Sequence, residues 1–469
     1  MKLIWIVCSA LMLTGCMNLA PDYERPQMPV AEMWPEDSKA QLDGNSGVED
    51  WRNFIVEPKL QRLIELGLEH NRDMQVAVQN LRRTQALFGI QRSERFPNVD
   101  ISAGSVNQRL PEAFTGGPPT VSRQYSVDLG IFSYELDFWG RISSLERQAL
   151  NAYLATEQGR RNTQIALISQ IASTYLTLSA NKALLALAEE TLASQEASLV
   201  LTQQSFDNGV VSGLDVAQAQ VTVATSRVDL ASFSNLVASD QHALAVLVGT
   251  SIDDALMPEA GESDVLAPVR VGMPSLLLSQ RPDIVQAEHN LMGANANIGA
   301  ARAAYFPSIS LTATAGLLSA DLDDLFDGDA RSWNFSPSIS LPIFNWGQLK
   351  GNVEVAKADA AIALAQYEQS IQLAFQEVAD SLSARHYLAL QREAQQQLVD
   401  ATGDSFELSE LRFRQGVDSF FSVLDSQRSH YTAQQGLITL DLSQQANLLA
   451  LFRALGGGWV GNELSPYSP

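Results

Sequence analysis

The sequence predicts an α+β membrane protein in which very long helices alternate with two pairs of amphipathic strands, and three observations predict it. Proline is absent from Thr120 to Met257 and from Ile343 to Ser465, though frequent elsewhere. Four other segments alternate apolar residues with small polar ones. Finally, a set of landmarks recurs at a nearly fixed offset, so the pattern is written twice.

The N-terminus decides the compartment. Lys2 precedes the apolar run LIWIVCSALML and then Leu13-Thr14-Gly15-Cys16, the charged, apolar and small-residue regions of an export signal. The run is too short to span a bilayer. Cys16 occupies the place of the cysteine that a bacterial lipoprotein signal exposes for acylation, so residues 1–15 are read as a signal peptide and 16–50 as a lipidated, extended segment. A plain signal cut nearby is the alternative. Cys8 lies in the discarded part, which leaves one cysteine and no intrachain disulfide.

Thirty-one Lys plus Arg face 53 Asp plus Glu, a net charge of −22 that becomes −23 without Lys2. Such a surface argues against nucleic acid and anionic headgroups as partners. No apolar run after the signal reaches the length of a transmembrane helix, so any membrane crossing must use strands.

Because proline breaks helix interiors, the two proline-free segments, rich in Ala, Leu, Gln, Glu and Ser, read as long helices. Ile171, Leu178, Leu185, Leu192 and Leu199 recur every seven residues, the coiled-coil repeat. A helix from Ser143 to Leu201 would be about 90 Å long.

In SISLTATAGLL, Ser308 to Leu318, the odd positions are apolar and the even ones small and polar. WNFSPSISLPI, Trp333 to Ile343, does the same, and NVDISAGSV from Asn98 and YSVDLGIF from Tyr125 do so more weakly. Small uncharged residues suit the lumen of a transmembrane barrel and the apolar face suits lipid; soluble hairpins on a core are the alternative. Four strands cannot close a barrel, and open edges are not tolerated in hydrocarbon, so the chain must contribute to an oligomeric barrel. Pro97, Pro307 and Pro342 mark handovers between strand and helix.

Asp73 and Asp283, like Phe96-Pro97 and Phe306-Pro307, are 210 residues apart. Trp139-Gly140 and Trp346-Gly347, like Gly209-Val210 and Gly416-Val417, are 207 apart. Each half reads helix, strand, loop, strand, long helix, turn, helix, which makes two internal repeats.

The phrases PDYERP (Pro21 to Pro26), LLLSQRPDIVQAEHNLMGANANIGAARAAYFPSISLTA (Leu276 to Ala313), GVDSFFSVLDSQR (Gly416 to Arg428) and LFRALGGGW (Leu451 to Trp459) resemble the TolC-like outer-membrane factors over the full length. The likeness is to the lipoprotein branch that serves tripartite, RND-type drug efflux pumps. The resemblance implies a homotrimer with a twelve-stranded barrel in outer-membrane lipid, four strands per chain. Long helices then continue it as a periplasmic coiled-coil barrel with a mixed equatorial domain. It assigns 51–96 to first-repeat equatorial helices, 97–138 to the first barrel hairpin, 139–250 to the first long-helix pair and 251–305 to an inter-repeat equatorial segment. In the second repeat, 306–344 is the barrel hairpin, 345–458 the long-helix pair and 459–469 a tail. The implied partners are a periplasmic adaptor, an inner-membrane RND-type transporter and small-molecule drugs.

In that family the helix tips are the gate and the docking point, which singles out the turns Phe206 to Leu214 and Phe413 to Phe421. Gly209, Val210, Gly416 and Val417 are the docking candidates, and both glycines suit a helix C-terminus with positive φ. Asp215, Asp418 and Asp425 are the gate candidates, since threefold assembly turns one inward carboxylate into a cation-attracting ring. Solvated surface acids are the alternative. Some relatives latch the tip with Tyr and Arg, where this chain has Phe413 and Asp418.

Asp321 to Asp329, DLDDLFDGD, lacks EF-hand spacing and reads as a solvated loop. No nucleophile is matched with a base and no metal or cofactor motif is present, so neither catalysis nor a cofactor beyond the Cys16 lipid is expected. The expected function is a passive exit duct for drugs and other toxic small molecules. A type I-like protein secretion duct and a poreless coiled-coil envelope tether are the alternatives.

Overall fold

The computed structural model describes residues 18–31, 34, 50–262, 265–269 and 281–457; Cys16, the signal region and residues 458–469 lie outside them. In chain order the elements are α1 (Trp51–Phe54), α2 (Pro58–His70), α3 (Arg72–Ser93), β1 (Val99–Leu110), α4 (Glu112–Thr115), β2 (Thr120–Leu136), α5 (Arg141–Asp207) and α6 (Gly213–Val248). The second half brings α7 (Pro282–Ala303), β3 (Ser308–Ser319), β4 (Arg331–Ser340), α8 (Gln348–Arg414) and α9 (Phe420–Ala454). Among the described residues no helix is long and apolar enough to cross a membrane. The chain divides into two compact units.

The first unit comprises the described part of Met1–Pro26, with Leu81–Glu157 and Gln286–Tyr367. It carries one antiparallel sheet in the order β1-β2-β3-β4. Ile101 pairs with Leu129, Leu129 with Ala315 and Ala315 with Trp333, while one residue along Asp100, Gly130, Thr314 and Asn334 form the next row. Since side chains alternate faces, this register lays a band of apolar residues along one face, from the row through Ile101 and Trp333 to Val99, Leu136, Ile309 and Ile339, with polar ones opposite; toward the other end Asn107, Arg109, Arg123 and Arg331 share the apolar parity. The odd-even reading of all four segments is thereby extended into one band across the strands.

The strands outrun their sequence signals in three cases, because ladder pairing carries β1 and β2 through polar residues such as Asn107 and Arg123. The fourth is shorter than expected: β4 ends at Ser340, before Pro342 and Ile343, since proline has no N–H for the ladder. A bulge between Ile131 and Tyr134, with Ser133 at φ 58°, breaks the β2–β3 register. Past the end of β2, Asp137 accepts from Ile142 N (3.0 Å) and Ser143 N (2.8 Å), which starts α5 at Arg141.

Residues 18–26 lie along α7 in this unit. Asn295 Nδ2 donates to Pro21 O (2.9 Å), Arg302 to Leu19 O (3.0 Å), and Tyr23 and Arg25 both donate to Glu288. Gly299 permits the approach, since a Cβ there would meet Ala20 at 2.8 Å.

The second unit comprises the described parts of Gln27–Asn80, Gln158–Val285 and Glu368–Pro469. Its core joins Trp51, Phe54, Leu60, Leu63 and Ile64 to Ile168, Ile171, Tyr175 and Leu178 of α5, Leu244 and Val248 of α6, and Phe452 of α9. Phe54 stacks on Phe452 at 4.1 Å. Each such buried side chain contributes about 2 kcal/mol. The inter-repeat segment grips α5: Tyr175 donates to Glu262 (2.9 Å) and Ser179 Oγ to Glu259 O (2.8 Å).

The heptad reading of α5 holds in part. Ile171 and Leu178 are buried, but Leu185, Leu192 and Leu199 are only partly so, and the buried positions become Ala188, Thr191, Gln195 and Thr202. Asn181, Ala188, Gln195 and Thr202 recur every seven residues on a register three residues on from Leu178, so the buried seam leaves the leucine stripe. There α5 leaves the apolar core and faces α6 across small and polar groups: Asn181 donates to Asp240 (2.6 Å) and Ser226 Oγ to Gln195 Oε1 (2.6 Å).

Candidate gate and docking tips

Both helical hairpins turn in the same way. Gly209 and Gly416 adopt φ 72° and 73°. Val210 N donates to Ser205 O (2.8 Å) and Gly209 N to Phe206 O (2.9 Å); Val417 N donates to Arg412 O (2.9 Å) and Gly416 N to Phe413 O (2.9 Å). These are helix C-terminal caps built on a left-handed residue, which glycine adopts without strain. Nothing lies within 4 Å of either missing Cβ, so conformation rather than crowding selects glycine here.

The turns then diverge. At the first, the Asp215 carboxylate accepts from Ser212 N (2.8 Å) and Ser212 Oγ (2.7 Å), a capping arrangement that starts α6. These bonds, led by the Ser212 hydroxyl, hold the Asp215 carboxyl below the usual aspartate range. At the second, Arg412 grips Asp418 with two bonds, Nε to Oδ2 at 2.5 Å and Nη2 to Oδ1 at 3.0 Å. That guanidinium lowers the Asp418 pKa, and the carboxylate in turn raises that of Arg412. Asp425, one turn into α9, pairs with Arg428 at 2.5 Å.

The hairpins meet through an apolar cluster. Ala219 of the first packs with Phe420, Val423 and Leu424 of the second, flanked by Leu199, Phe406 and Phe413. Further along the helices, Gln427 Nε2 donates to Ser194 Oγ (3.4 Å) and Tyr431 donates to Asp229 (3.2 Å). Burial and Asp229 push the Tyr431 hydroxyl up to about 12. The two tips are therefore neighbours, and each candidate acid is satisfied within its own hairpin. Val210, Leu214, Val417 and Phe421 remain exposed at the turns.

The profile of the outer membrane efflux protein family matches residues 63–250 and 273–457. The chain belongs to that family. The two matches of this efflux protein start 210 residues apart and end 207 apart, the offsets of the sequence landmarks. A toluene efflux pump outer membrane protein of Pseudomonas putida, TtgC, is 46% identical over 98% of the chain and 96% of its own length. Among solved structures, a Pseudomonas aeruginosa membrane protein aligns with a TM-score of 0.88 at 38% identity, over 94% of this chain and 98% of that one. The open-state MtrE outer membrane channel of Neisseria gonorrhoeae aligns at 0.85 and 33%, over 94% and 98%.

In this efflux protein the Phe413 ring packs against Phe420, with ring centres 5.2 Å apart, and has no hydroxyl with which to latch a neighbour. Asp418 stands in a salt bridge with its own Arg412. Sequence reading named the acids but missed Arg412 and Arg428; their spacings of six and three residues from Asp418 and Asp425 were the available signal. It also passed over Phe421 and Leu214, apolar residues at solvent-facing turns. Among the described residues no group of three or more His, Cys, Asp or Glu could hold a metal ion, and the acid-rich 321–329 segment links β3 to β4 with Leu325 tucked inward.

Proposed function

We propose that this efflux protein works as a homotrimer, the exit duct of a tripartite pump, conducting drugs and other toxic small molecules across periplasm and outer membrane without an energy source of its own. The observation that carries the reading is the sheet: four strands crossed on one face by an apolar band and on the other by small polar residues, with β1 and β4 at its open edges. Three copies supply twelve strands, β4 of one pairing β1 of the next. Closure satisfies the edge groups that hydrocarbon would leave bare. The hairpins at 97–138 and 306–344 then span the membrane, and the helix pairs at 139–250 and 345–458 form the periplasmic wall.

Substrate class is supported by the toluene efflux relative, whose name points to lipophilic small molecules. The clustered tips are the gate and the seat of a periplasmic adaptor, beyond which an RND-type inner-membrane transporter supplies energy. Trimerisation brings Asp418 and Asp425 into rings of three whose arginine partners stabilise the closed arrangement. Gly209, Val210, Gly416 and Val417 present the turns to the adaptor. Cys16 carries the lipid, and residues 18–26 on α7 tie that anchor to the first unit.

Purified protein in detergent should have the mass of three chains, and its gene should restore solvent and drug export to a strain lacking its outer-membrane component. A monomeric mass together with failed rescue would refute the duct.

A further inference from the structure

Two tryptophans end the strand pairs of the two repeats, and only one is seated. Trp139 stacks on Phe306 with ring centres 4.7 Å apart and donates from Nε1 to Pro307 O at 2.8 Å, so the end of β2 is clasped to the start of β3. Its repeat counterpart Trp346 is 89% exposed, and its ring meets the edge of Phe344, itself exposed. Trp346 also adopts φ 53°, a left-handed conformation that is an outlier for so bulky a residue. A large indole kept in water at a strained backbone position offsets neither cost within one chain.

The repeat supplies the missing seat. Phe306-Pro307, which receives Trp139, corresponds to Phe96-Pro97 at the start of β1, and Phe96 is 64% exposed. Both the indole and its counterpart seat lie at the open edges of the sheet, beside β4 and β1. The same offsets carry the β2–β3 pairing over to the open edges. Tyr134 opposite Leu311 becomes Leu341 opposite Ile101, and Leu136 opposite Ile309 becomes Ile343 opposite Val99. All four are apolar residues on the lipid-facing parity, so the transferred register keeps the apolar face unbroken across the junction.

We infer that Trp346 stacks on Phe96 and hydrogen-bonds the Pro97 carbonyl of a second copy of this chain, clasping β4 to that copy's β1 as Trp139 clasps β2 to β3. The contact rests on the trimeric reading and names the residues that close it. Its site repeats at each of three junctions, where indole stacking and a hydrogen bond fasten the barrel at the end nearest the long helices.

The test is oxidative cross-linking of the Phe96→Cys/Trp346→Cys double variant in detergent, with native mass measured alongside. The clasp predicts two- and three-chain covalent species, whereas Trp139→Cys/Phe306→Cys links within one chain and leaves its mass unchanged. Native trimers in which the first pair does not link would overturn the clasp and leave Trp346 a lipid-interface anchor. A monomeric mass would overturn the trimeric reading and the clasp with it. Should the cysteine pair hinder assembly, thermal dissociation decides: Trp346→Ala should lower the dissociation temperature of the trimer more than Phe344→Ala, and equal effects would count against the clasp.

Discussion

Arg412 and Asp418 close the second hairpin turn on itself, with guanidinium and carboxylate joined by bonds of 2.5 and 3.0 Å between the last turn of α8 and the residue preceding the Ser419 cap. At the first turn the corresponding work falls to Asp215, which caps α6 through Ser212 instead of holding an arginine. Of the two turns, only the second is thus closed on itself by an ion pair among the described residues.

Removing either partner should loosen it. Arg412→Ala and Asp418→Ala are each expected to raise the open fraction by roughly two- to five-fold per chain, the range of an exposed bidentate pair. Single-channel recording reads this directly, and Asp425→Ala should act in the same direction through Arg428. The charge swap Arg412→Asp/Asp418→Arg should recover most of the closed state; failure of the swap would mean that local backbone disturbance, not the pair, had opened the tip.

The pH dependence has a definite sign. Asp418 is held below the ordinary carboxylate range, so its contribution is complete above about pH 4 and is lost only as pH falls through the lowered native value. Asp215 follows the same rule through Ser212. Tip closure should therefore be flat between about pH 5 and 7 and weaken below about 4. Carbon-13 carboxyl shifts of labelled aspartate should show Asp418 returning to the ordinary range in Arg412→Ala; titration of the wild-type tip near neutrality would contradict the assignment.

Glycines at positive φ separate two costs. Gly416→Ala meets open space and suffers backbone strain alone, about 1 to 2 kcal/mol. Gly249→Ala, at φ 77°, would also place a Cβ 2.6 Å from His70 O, so it should be clearly more destabilising in thermal unfolding. Equal losses would mean that the α2 end moves aside.

Arg281 is a buried cation that joins the inter-repeat segment to the second hairpin. It donates to Asp283, to Glu377 (2.8 Å) and to the Ala454 carbonyl (2.7 Å) at the end of α9. Arg281→Ala should destabilise the fold by about 2 kcal/mol, less than a fully buried network because Glu377 is half exposed. Denaturant unfolding checks this, and an unchanged midpoint would show that water replaces the guanidinium.

Much of this architecture was legible because each signal was local. Proline gaps marked the long helices, the odd-even pattern marked the sheet faces, and Gly209 and Gly416 marked the turns. The seam of α5 was not legible beyond Leu178: a heptad of leucines marks an apolar stripe without saying which neighbour covers it, and the α6 contact is made by Asn181 and Gln195, with Ala188 and Thr191 buried in place of the leucines. The partners of the acids were equally hidden, since side-chain pairing across a turn depends on the geometry that the turn itself creates. The β2 bulge did leave a mark that went unread: the apolar positions switch from odd (Val127, Leu129, Ile131) to even (Tyr134, Leu136) across Phe132 and Ser133.

The most direct test of the central claim is the conductance of the purified protein in a planar lipid bilayer. A trimeric duct gated by acid rings predicts discrete, cation-preferring steps that become larger or more frequent in Asp418→Ala and Asp425→Ala. A bilayer that stays silent with the wild type and with both tip variants, at protein amounts that visibly insert, would contradict it.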